Sequence, residues 1–238
     1  MAARDPEQYR LPEAEHQRIF DTQIRRRLFE DASPADKPVA VIFGGQPGAG
    51  KSAALAFAGL ELAERGGAVK IVGDELRDFH PSYAHLLKTD DQHAAFYTDR
   101  DSGRWVEKAI DYARTQGYNV IIEGTYRNPD VVAATMTKFR EAGYEVDARA
   151  LAVNERFSEQ GILYRYEEQR RDMGHGRMTT PEAHRAAYEG MVRTLDRIEG
   201  EALADRLTLY RRGAEVVYSN ELQGGQWKYP PTASQALE

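Results

Sequence analysis

The chain has 238 residues, of which 41% are hydrophobic and 29% are charged, and its formal net charge is -6. These values are typical of one large α/β domain with a sizeable core, and the acidic balance disfavours a protein that grips nucleic-acid phosphates. With 0 cysteines, disulfides, thiolate nucleophiles and cysteine-based metal sites are excluded. The N-terminus is charged, and no apolar run reaches the roughly 20 residues of a membrane span. We therefore expect a cytoplasmic protein without membrane contact.

Helical and β-type patterns alternate along the chain, and Gly, Pro and polar clusters separate them. The predicted helices cover residues 13–30, 51 onward, 104–115, 131–141, 155–172 and 181–204. The predicted strands cover residues 39–43, 69–72, 118–122 and 145–153, with a closing hairpin of 207–210 and 216–218. This alternation predicts an α/β protein with a mostly parallel central sheet.

The chain shows no second composition block and no internal repeat. We expect a single domain over residues 1–223 that includes the N-terminal helix. Residues 224–238 contain Gly, Pro and Ser, and we expect them to form a loose C-terminal tail.

One phosphate-binding motif lies directly between the first predicted strand and the helix that follows it. It fits G-x-x-x-x-G-K-[ST], and that context is the one the motif requires. The backbone N–H groups of such a loop form an anion nest, the lysine meets the β- and γ-phosphates, and the hydroxyl ligates Mg²⁺. The motif predicts ATP or GTP as donor, with Mg²⁺, and Ser52 as the metal ligand. The predicted nucleotide-binding residues are Gly45, Gln46, Pro47, Gly48, Ala49, Gly50, Lys51 and Ser52.

The rest of the sequence favours the kinase branch of P-loop proteins. A GTPase would normally carry N-K-x-D and D-x-x-G, and neither occurs in this chain. The third strand ends in Glu123-Gly124-Thr125 where an ATPase motor would end in a Walker-B aspartate. We therefore predict a three-layer P-loop kinase fold with an arginine-containing lid.

Asp74 follows the second strand, and the carboxyl ends of parallel strands face the ligand crevice. A kinase needs a carboxylate to accept the proton of the attacking hydroxyl, and Asp74 suits that role. Aspartate is also a favoured helix N-cap, so a purely structural role stays open. Glu123 and Thr125 end the third strand, where they could bind the acceptor or simply form a strand-to-loop turn.

Residues 164–177 resemble a lid, because they combine several arginines with Gly174 and Gly176. Arginine forks suit transferring phosphoryl groups, and glycines allow a hinge. An ordinary helix laced with ion pairs explains the same segment. Taken alone, Glu107 is best explained as a solvated surface charge.

Together these residues resemble the zeta toxin family of P-loop kinases over most of the chain, from the N-terminal helix to about Tyr218. The resemblance covers the run Gly44–Ser52 and the order of the remaining motifs. It implies that Asp74 is the general base and that Arg165 and Arg177 clamp the transferred phosphate. The acceptor-binding residues that it implies are Asp74, Glu107, Glu123, Thr125 and Arg127.

The resemblance also implies an activity that spacing alone does not reveal. Members of the family phosphorylate the 3′-hydroxyl of UDP-N-acetylglucosamine, and a small helical antitoxin inhibits many of them by blocking the nucleotide site. Two rival functions stay open: a P-loop kinase for another small molecule, such as an antibiotic or a nucleoside, and a nucleotide-binding partner protein without turnover.

Overall fold

The structure, a computed structural model, describes residues 5–176 and 178–237. A π-helical turn at Phe20–Ile24 joins the first two helices, and 3-10 turns cover Arg77–Phe79 and Ala233–Leu237. The α-helices are α1 Glu13–Ile19, α2 Arg25–Phe29, α3 Lys51–Ala63, α4 Gly73–Leu76, α5 Tyr83–Thr89, α6 Ala94–Gln116, α7 Pro129–Glu141, α8 Glu155–Met173 and α9 Pro181–Gly200. The strands are β1 Val39–Gly44, β2 Val69–Val72, β3 Val120–Glu123, β4 Glu145–Leu151, β5 Arg206–Tyr210, β6 Val216–Gln223 and β7 Gln226–Trp227.

The strands form one seven-stranded sheet in the order β2-β3-β1-β4-β5-β6-β7. Strands β1 to β5 pair in parallel, whereas β6 and β7 join antiparallel at one edge. The predicted mostly parallel α/β fold is therefore confirmed. Because β1 lies between β3 and β4, the loop that follows β1 emerges in the middle of the carboxyl edge, where open α/β sheets bind their ligands.

Alternate residues of the central strand face opposite layers. Ala40 and Ile42 belong to the larger core, which includes residues of α6, α7 and α9. Val41 and Phe43 face the smaller core, where they pack against residues of α3. Strand side chains alternate between the two sides of a sheet, so this continuous apolar run requires helices on both faces. The result is the three-layer arrangement that the sequence predicts.

Helix α6 begins ten residues before its predicted start near residue 104. Its first turns hold buried polar side chains, among them Thr98, Asp101 and Ser102. A polar buried face gives no apolar periodicity, which is why the pattern misses it. The N-terminal segment supplies partners for it: the Leu11 N–H donates to the Asp101 carboxylate at 2.9 Å.

The expectation of a loose tail after residue 223 is wrong. Gln226–Trp227 pairs with β6 as β7, and Ala233 and Leu237 are buried in the larger core. Buried Glu199 of α9 holds this segment, since its carboxylate accepts from the Ala233 N–H at 2.8 Å. Trp227 Nε1 also donates to the Glu199 carbonyl at 2.7 Å. A buried carboxylate needs such donors, and a composition rich in Gly and Pro does not reveal them.

Across residues 5–176 and 178–237, every helix is too short or too polar to cross a bilayer.

Candidate active site

The predicted phosphate-binding motif, Gly45–Ser52, follows β1 directly, and its last two residues form the start of α3. Gly48 and Gly50 adopt left-handed conformations with φ of 79° and 89°, which glycine tolerates without strain. Lys51 begins α3 and is buried, and its Nζ donates to the Gly45 carbonyl at 2.8 Å. The same Nζ lies 3.4 Å from Glu123 Oε1.

Burial and neighbouring charges have opposing effects on the Lys51 ammonium. Burial lowers the pKa of Lys51, while the carboxylates of Glu123 and Asp74 oppose that shift and the charge of Arg165 adds to it. A phosphate would supply the countercharge that a buried ammonium needs. The site therefore combines a cation, the N-terminus of the following helix and glycines in left-handed conformations, which are features that favour phosphate binding.

Asp74 lies in the first turn of α4, and the residue at the helix N-cap position is Val72. The alternative of Asp74 as a helix cap is therefore wrong. Arg77 forms ion pairs with Asp74 and, at 2.5 Å, with Asp99. Burial alone would lower the pKa of Arg77, yet these two carboxylates raise it. Arg77 thus orients a carboxylate whose side chain is 46% exposed.

An open cleft of about 420 Å³ lies above the loop. Six of the predicted site residues line it, together with four residues for which no site role was predicted. The predicted residues that line it are Gly48, Gly50, Lys51, Ser52, Glu123 and Arg165. The additional lining residues are Gly161, Tyr164, Arg212 and Gly213.

The loop after β3 has a fixed shape. Tyr126 adopts φ of 55°, and its buried hydroxyl donates to the Ile42 carbonyl at 2.6 Å. Thr194 Oγ1 donates to the Tyr126 carbonyl at 2.7 Å. A Cβ on Gly44 would lie 2.2 Å from the Tyr126 ring, so the strand before the phosphate loop needs glycine there. On either side of Tyr126, Thr125 Oγ1 accepts from the Arg127 N–H at 3.3 Å.

Four of the predicted catalytic and acceptor-binding residues do not line this cleft: Asp74, Glu107, Thr125 and Arg127. Glu107 is exposed on α6, next to Val106, which neighbours Gly73. Arg127 is exposed, and its backbone packs against α9. Arg177 lies outside the described residues.

Helix α8 is anchored to the phosphate loop by a buried polar network. Gln46 is fully buried, and its Nε2 donates to the Val153 carbonyl at 2.5 Å and to Ser158 Oγ at 3.2 Å. Ser158 Oγ lies 2.8 Å from His184 Nε2 on α9. The network links the loop to two helices. The motif suggests that Gln46 matters, but its partners lie more than a hundred residues away in sequence.

The far end of α8 is held as well. Asp91 precedes α6, and its carboxylate accepts from the Tyr166 hydroxyl at 3.3 Å and from the Gly176 N–H at 3.2 Å. Buried Tyr166 contacts Gly176 so closely that a Cβ there would lie 2.7 Å from its ring. The segment that resembles a lid is therefore helical from Tyr164 through Met173, and Asp91 holds it at Tyr166 and Gly176.

The sheet order, the central phosphate loop and its buried lysine define a P-loop kinase fold. The family model described as Zeta toxin matches residues 23–223. The chain belongs to the zeta toxin family, so the resemblance noted from the sequence is confirmed.

Individual relatives agree with this assignment. Toxin PezT of Streptococcus pneumoniae is 30% identical over 197 residues, which cover 82% of this chain and 77% of that protein. Toxin zeta of Streptococcus agalactiae is 30% identical over 195 residues, covering 82% and 67%. A solved chain from the PezAT chromosomal toxin–antitoxin system of Streptococcus pneumoniae matches with a TM-score of 0.80 and 27% identity, covering 96% of this chain and 88% of that one. Family and fold together support a phosphotransferase of the kinase type.

A more distant neighbour shares the fold alone. A chain from the AvrRxo1-ORF1:-ORF2 complex has a TM-score of 0.59 at 15% identity, covering 96% of this chain and 73% of that one. What the two chains have in common at this distance is the overall architecture.

Proposed function

We propose that this protein is a kinase that transfers the γ-phosphoryl group of ATP to the 3′-hydroxyl of UDP-N-acetylglucosamine, as a zeta-type toxin. The observation that carries the proposal is the cleft in which Lys51, Glu123 and Arg165 meet the phosphate loop. Burial lowers the pKa of Lys51, and the Asp74 carboxylate lies near enough to oppose that shift, although it does not line the cleft. A donor-binding cation and a candidate base therefore belong to one site, as in-line transfer needs.

The donor occupies the phosphate loop in this mechanism. The N–H groups at the start of α3 and the Lys51 ammonium bind the β- and γ-phosphates. Ser52 is the residue that would hold Mg²⁺, which supplies charge neutralisation of the triphosphate. Arg165, which lines the cleft, offers a planar fork of donors to the transferring group.

The acceptor is activated from the other side. An Asp74 carboxylate oxygen accepts the proton of the 3′-hydroxyl while the hydroxyl oxygen attacks the γ-phosphorus. The bond between the γ-phosphorus and the β–γ bridging oxygen breaks, which releases ADP. Arg77 fixes the orientation of the carboxylate. Glu123 and Thr125, together with Arg127 and Glu107, are proposed to bind the sugar nucleotide, and Arg177 to assist Arg165.

Incubation with ATP, Mg²⁺ and UDP-N-acetylglucosamine, followed by mass spectrometry, tests the proposal. We expect the sugar nucleotide to gain the mass of one phosphoryl group, and Lys51→Ala to abolish the gain. If UDP-N-acetylglucosamine stays unchanged while a nucleoside or an aminoglycoside is phosphorylated, that compound class is the acceptor instead. No transfer to any acceptor, with ATP still bound, would indicate a nucleotide-binding protein without turnover.

We also propose that a small helical antitoxin inhibits the protein by covering the nucleotide cleft. The support is the match to a solved chain of a toxin–antitoxin system and the openness of the cleft beside Tyr164, which is 69% exposed. Co-expression with the product of a neighbouring reading frame should restore host growth and prevent ATP binding. Restored growth with unchanged ATP binding would show that the antitoxin binds outside the nucleotide cleft.

A further inference from the structure

Arg212 donates hydrogen bonds to three backbone carbonyl groups, two in the phosphate loop and one in α8. It lies in the hairpin between β5 and β6, and its Nη2 donates to the Gly48 carbonyl at 2.5 Å and to the Phe157 carbonyl at 3.1 Å. Its Nε donates to the Ala49 carbonyl at 3.3 Å. One edge of the guanidinium therefore connects the phosphate loop to the first turn of α8.

These bonds control the direction of backbone N–H groups. The carbonyl and N–H of one peptide unit point in opposite directions because the unit is planar and trans. The Ala49 carbonyl accepts from Arg212, so the Gly50 N–H of the same peptide unit points away from the guanidinium. Holding the Gly48 carbonyl fixes the unit whose N–H, on Ala49, closes a turn to the Gln46 carbonyl at 3.2 Å.

The neighbouring contact is too tight for a side chain. A Cβ on Gly161 of α8 would lie 2.4 Å from the Gly48 carbonyl oxygen and 2.7 Å from Arg212 Nη2. Arg165 follows one turn later on the same helix face. The loop, the helix that carries Arg165 and the guanidinium thus meet at one point.

We propose that Arg212 is a positioning residue that fixes the phosphate loop in its anion-binding conformation and holds it against α8. A guanidinium suits this task better than an ammonium, because its rigid fork addresses several carbonyls at once. The nucleotide readout rests on the proposed kinase function. The conformational readout does not.

The test compares Arg212→Met with Arg211→Met. Arg211 is the adjacent arginine, is 65% exposed and pairs only weakly with Glu215 at 3.8 Å. We expect Arg212→Met to raise the dissociation constant of ATP with Mg²⁺ by roughly tenfold to a hundredfold, from the loss of charge-assisted hydrogen bonds. Hydrogen exchange of peptides covering residues 45–52 should accelerate in the nucleotide-free variant. Arg211→Met should change neither quantity.

A second pair of variants tests the same junction from the helix. Gly161→Ala should reproduce both effects, whereas Gly59→Ala on α3 should not, since nothing lies within 4 Å of a Cβ there. The double variant Arg212→Met/Gly161→Ala should bind ATP no more weakly than the more severe of the two single variants, because both changes disrupt the same contact. Arg212→Lys should recover only part of the affinity.

Several results would overturn the proposal. Equal ATP affinity in Arg212→Met and Arg211→Met would remove the role of Arg212. Weakened ATP binding with unchanged exchange of residues 45–52 would make Arg212 a direct nucleotide contact instead. Full recovery of ATP affinity in Arg212→Lys would show that only the positive charge of Arg212 matters, and not its guanidinium fork. If the unaltered protein binds no ATP, the kinase proposal fails while the exchange comparison still decides this one.

Discussion

The proposed site has a donor half and an acceptor half, and the two are built differently. On the donor side, the phosphate loop packs against α8 through Gly48 and Gly161, and buried Gln46 and Ser158 bond across the contact. On the acceptor side, Asp74 forms its ion pair at a surface where it is 46% exposed. Behind the open cleft, the donor half is a tightly packed contact between the loop and α8, whereas the acceptor half consists of more exposed charged side chains.

This difference shows how rigidity is distributed in the protein. A triphosphate presents the same shape to every P-loop enzyme, so its site can be packed and bonded in advance. The acceptor half leaves carboxylates exposed, and substrate binding must exclude water from them. Changes in the donor half should therefore disturb stability and nucleotide affinity together. Changes in the acceptor half should affect turnover while the fold stays intact.

The largest expected effect is on the donor side. Lys51→Ala removes the buried cation that faces Glu123, and we expect turnover to fall by about a thousandfold, as for other preorganised charges. Steady-state kinetics checks the loss, with Lys70→Ala as the control, since Lys70 is 47% exposed. Transfer at the unaltered rate in Lys51→Ala would refute the assignment of the cleft.

Asp74→Asn should separate the two halves most clearly. Asparagine keeps the shape but cannot accept the proton, so we expect turnover to fall about a hundredfold with little change in ATP affinity. In a peptidoglycan-building host the variant should also lose toxicity. Asp99→Asn is the control, because Asp99 pairs with the same Arg77 but is not the proposed base. Equal losses in both variants would reassign Asp74 to the support of Arg77.

Ser158→Ala should lower stability as well as nucleotide affinity. It leaves Gln46 Nε2 and His184 Nε2 short of a buried partner, which costs about 1–3 kcal/mol. Urea unfolding and ATP titration measure the two effects. Ser102→Ala removes a buried hydroxyl whose bond is to Asp99 within its own helix and should cost less. A stable Ser158→Ala with normal affinity would show that the network does not hold the loop.

Thr125→Val should act on the acceptor alone. It removes a hydroxyl but keeps the β-branched shape, and losing one hydrogen bond costs about 0.5–1.5 kcal/mol. We expect weaker binding of UDP-N-acetylglucosamine and unchanged ATP affinity in calorimetric titrations. Thr135→Val, at a half-buried position on α7, controls for the substitution itself. Lost ATP binding with intact sugar-nucleotide binding would assign this strand end to the donor.

The last prediction concerns pH. Burial lowers the pKa of His16 and of His80 from the ordinary value of 6.5, so the unfolded chain takes up protons first. Their contribution to stability is complete above pH 6.5 and is lost as pH falls below that value. Asp101 and Lys108 face His16, whereas Asp101 and the Tyr9 carbonyl face His80.

Urea unfolding at about pH 7.5 and about pH 5.5 measures this dependence. His80→Asn should reduce the difference between the two free energies of unfolding, and exposed His85→Asn should leave it unchanged. An equal pH dependence in all three proteins would exclude the buried histidines as its source.

Much of the site follows from local sequence. The phosphate loop is a contiguous motif, so the proposed roles of Lys51 and Ser52 follow from the residues on either side of them. Asp74 and Glu123 are found because each ends a β-branched run, and parallel strands bring such ends to one edge. These inferences need only the order of neighbouring residues.

The rest depends on which distant segments pack together. The strand order that brings the β5–β6 hairpin to the phosphate loop has no local signal, so the sequence indicates Arg212 only as part of a turn. The partners of Gln46 lie on α8 and α9, and the C-terminal segment is fixed by a buried carboxylate on α9.

The sequence by itself determined the class of fold, the donor-binding loop and the candidate base, because each depends on short contiguous patterns. Only the tertiary structure decided that α8 is anchored rather than free, that Arg77 orients Asp74, and that Arg212 meets the loop. The physical reason is that periodicity records the spacing of residues along one element. Buried hydrogen bonds and close glycine contacts exist only after separate elements pack against each other.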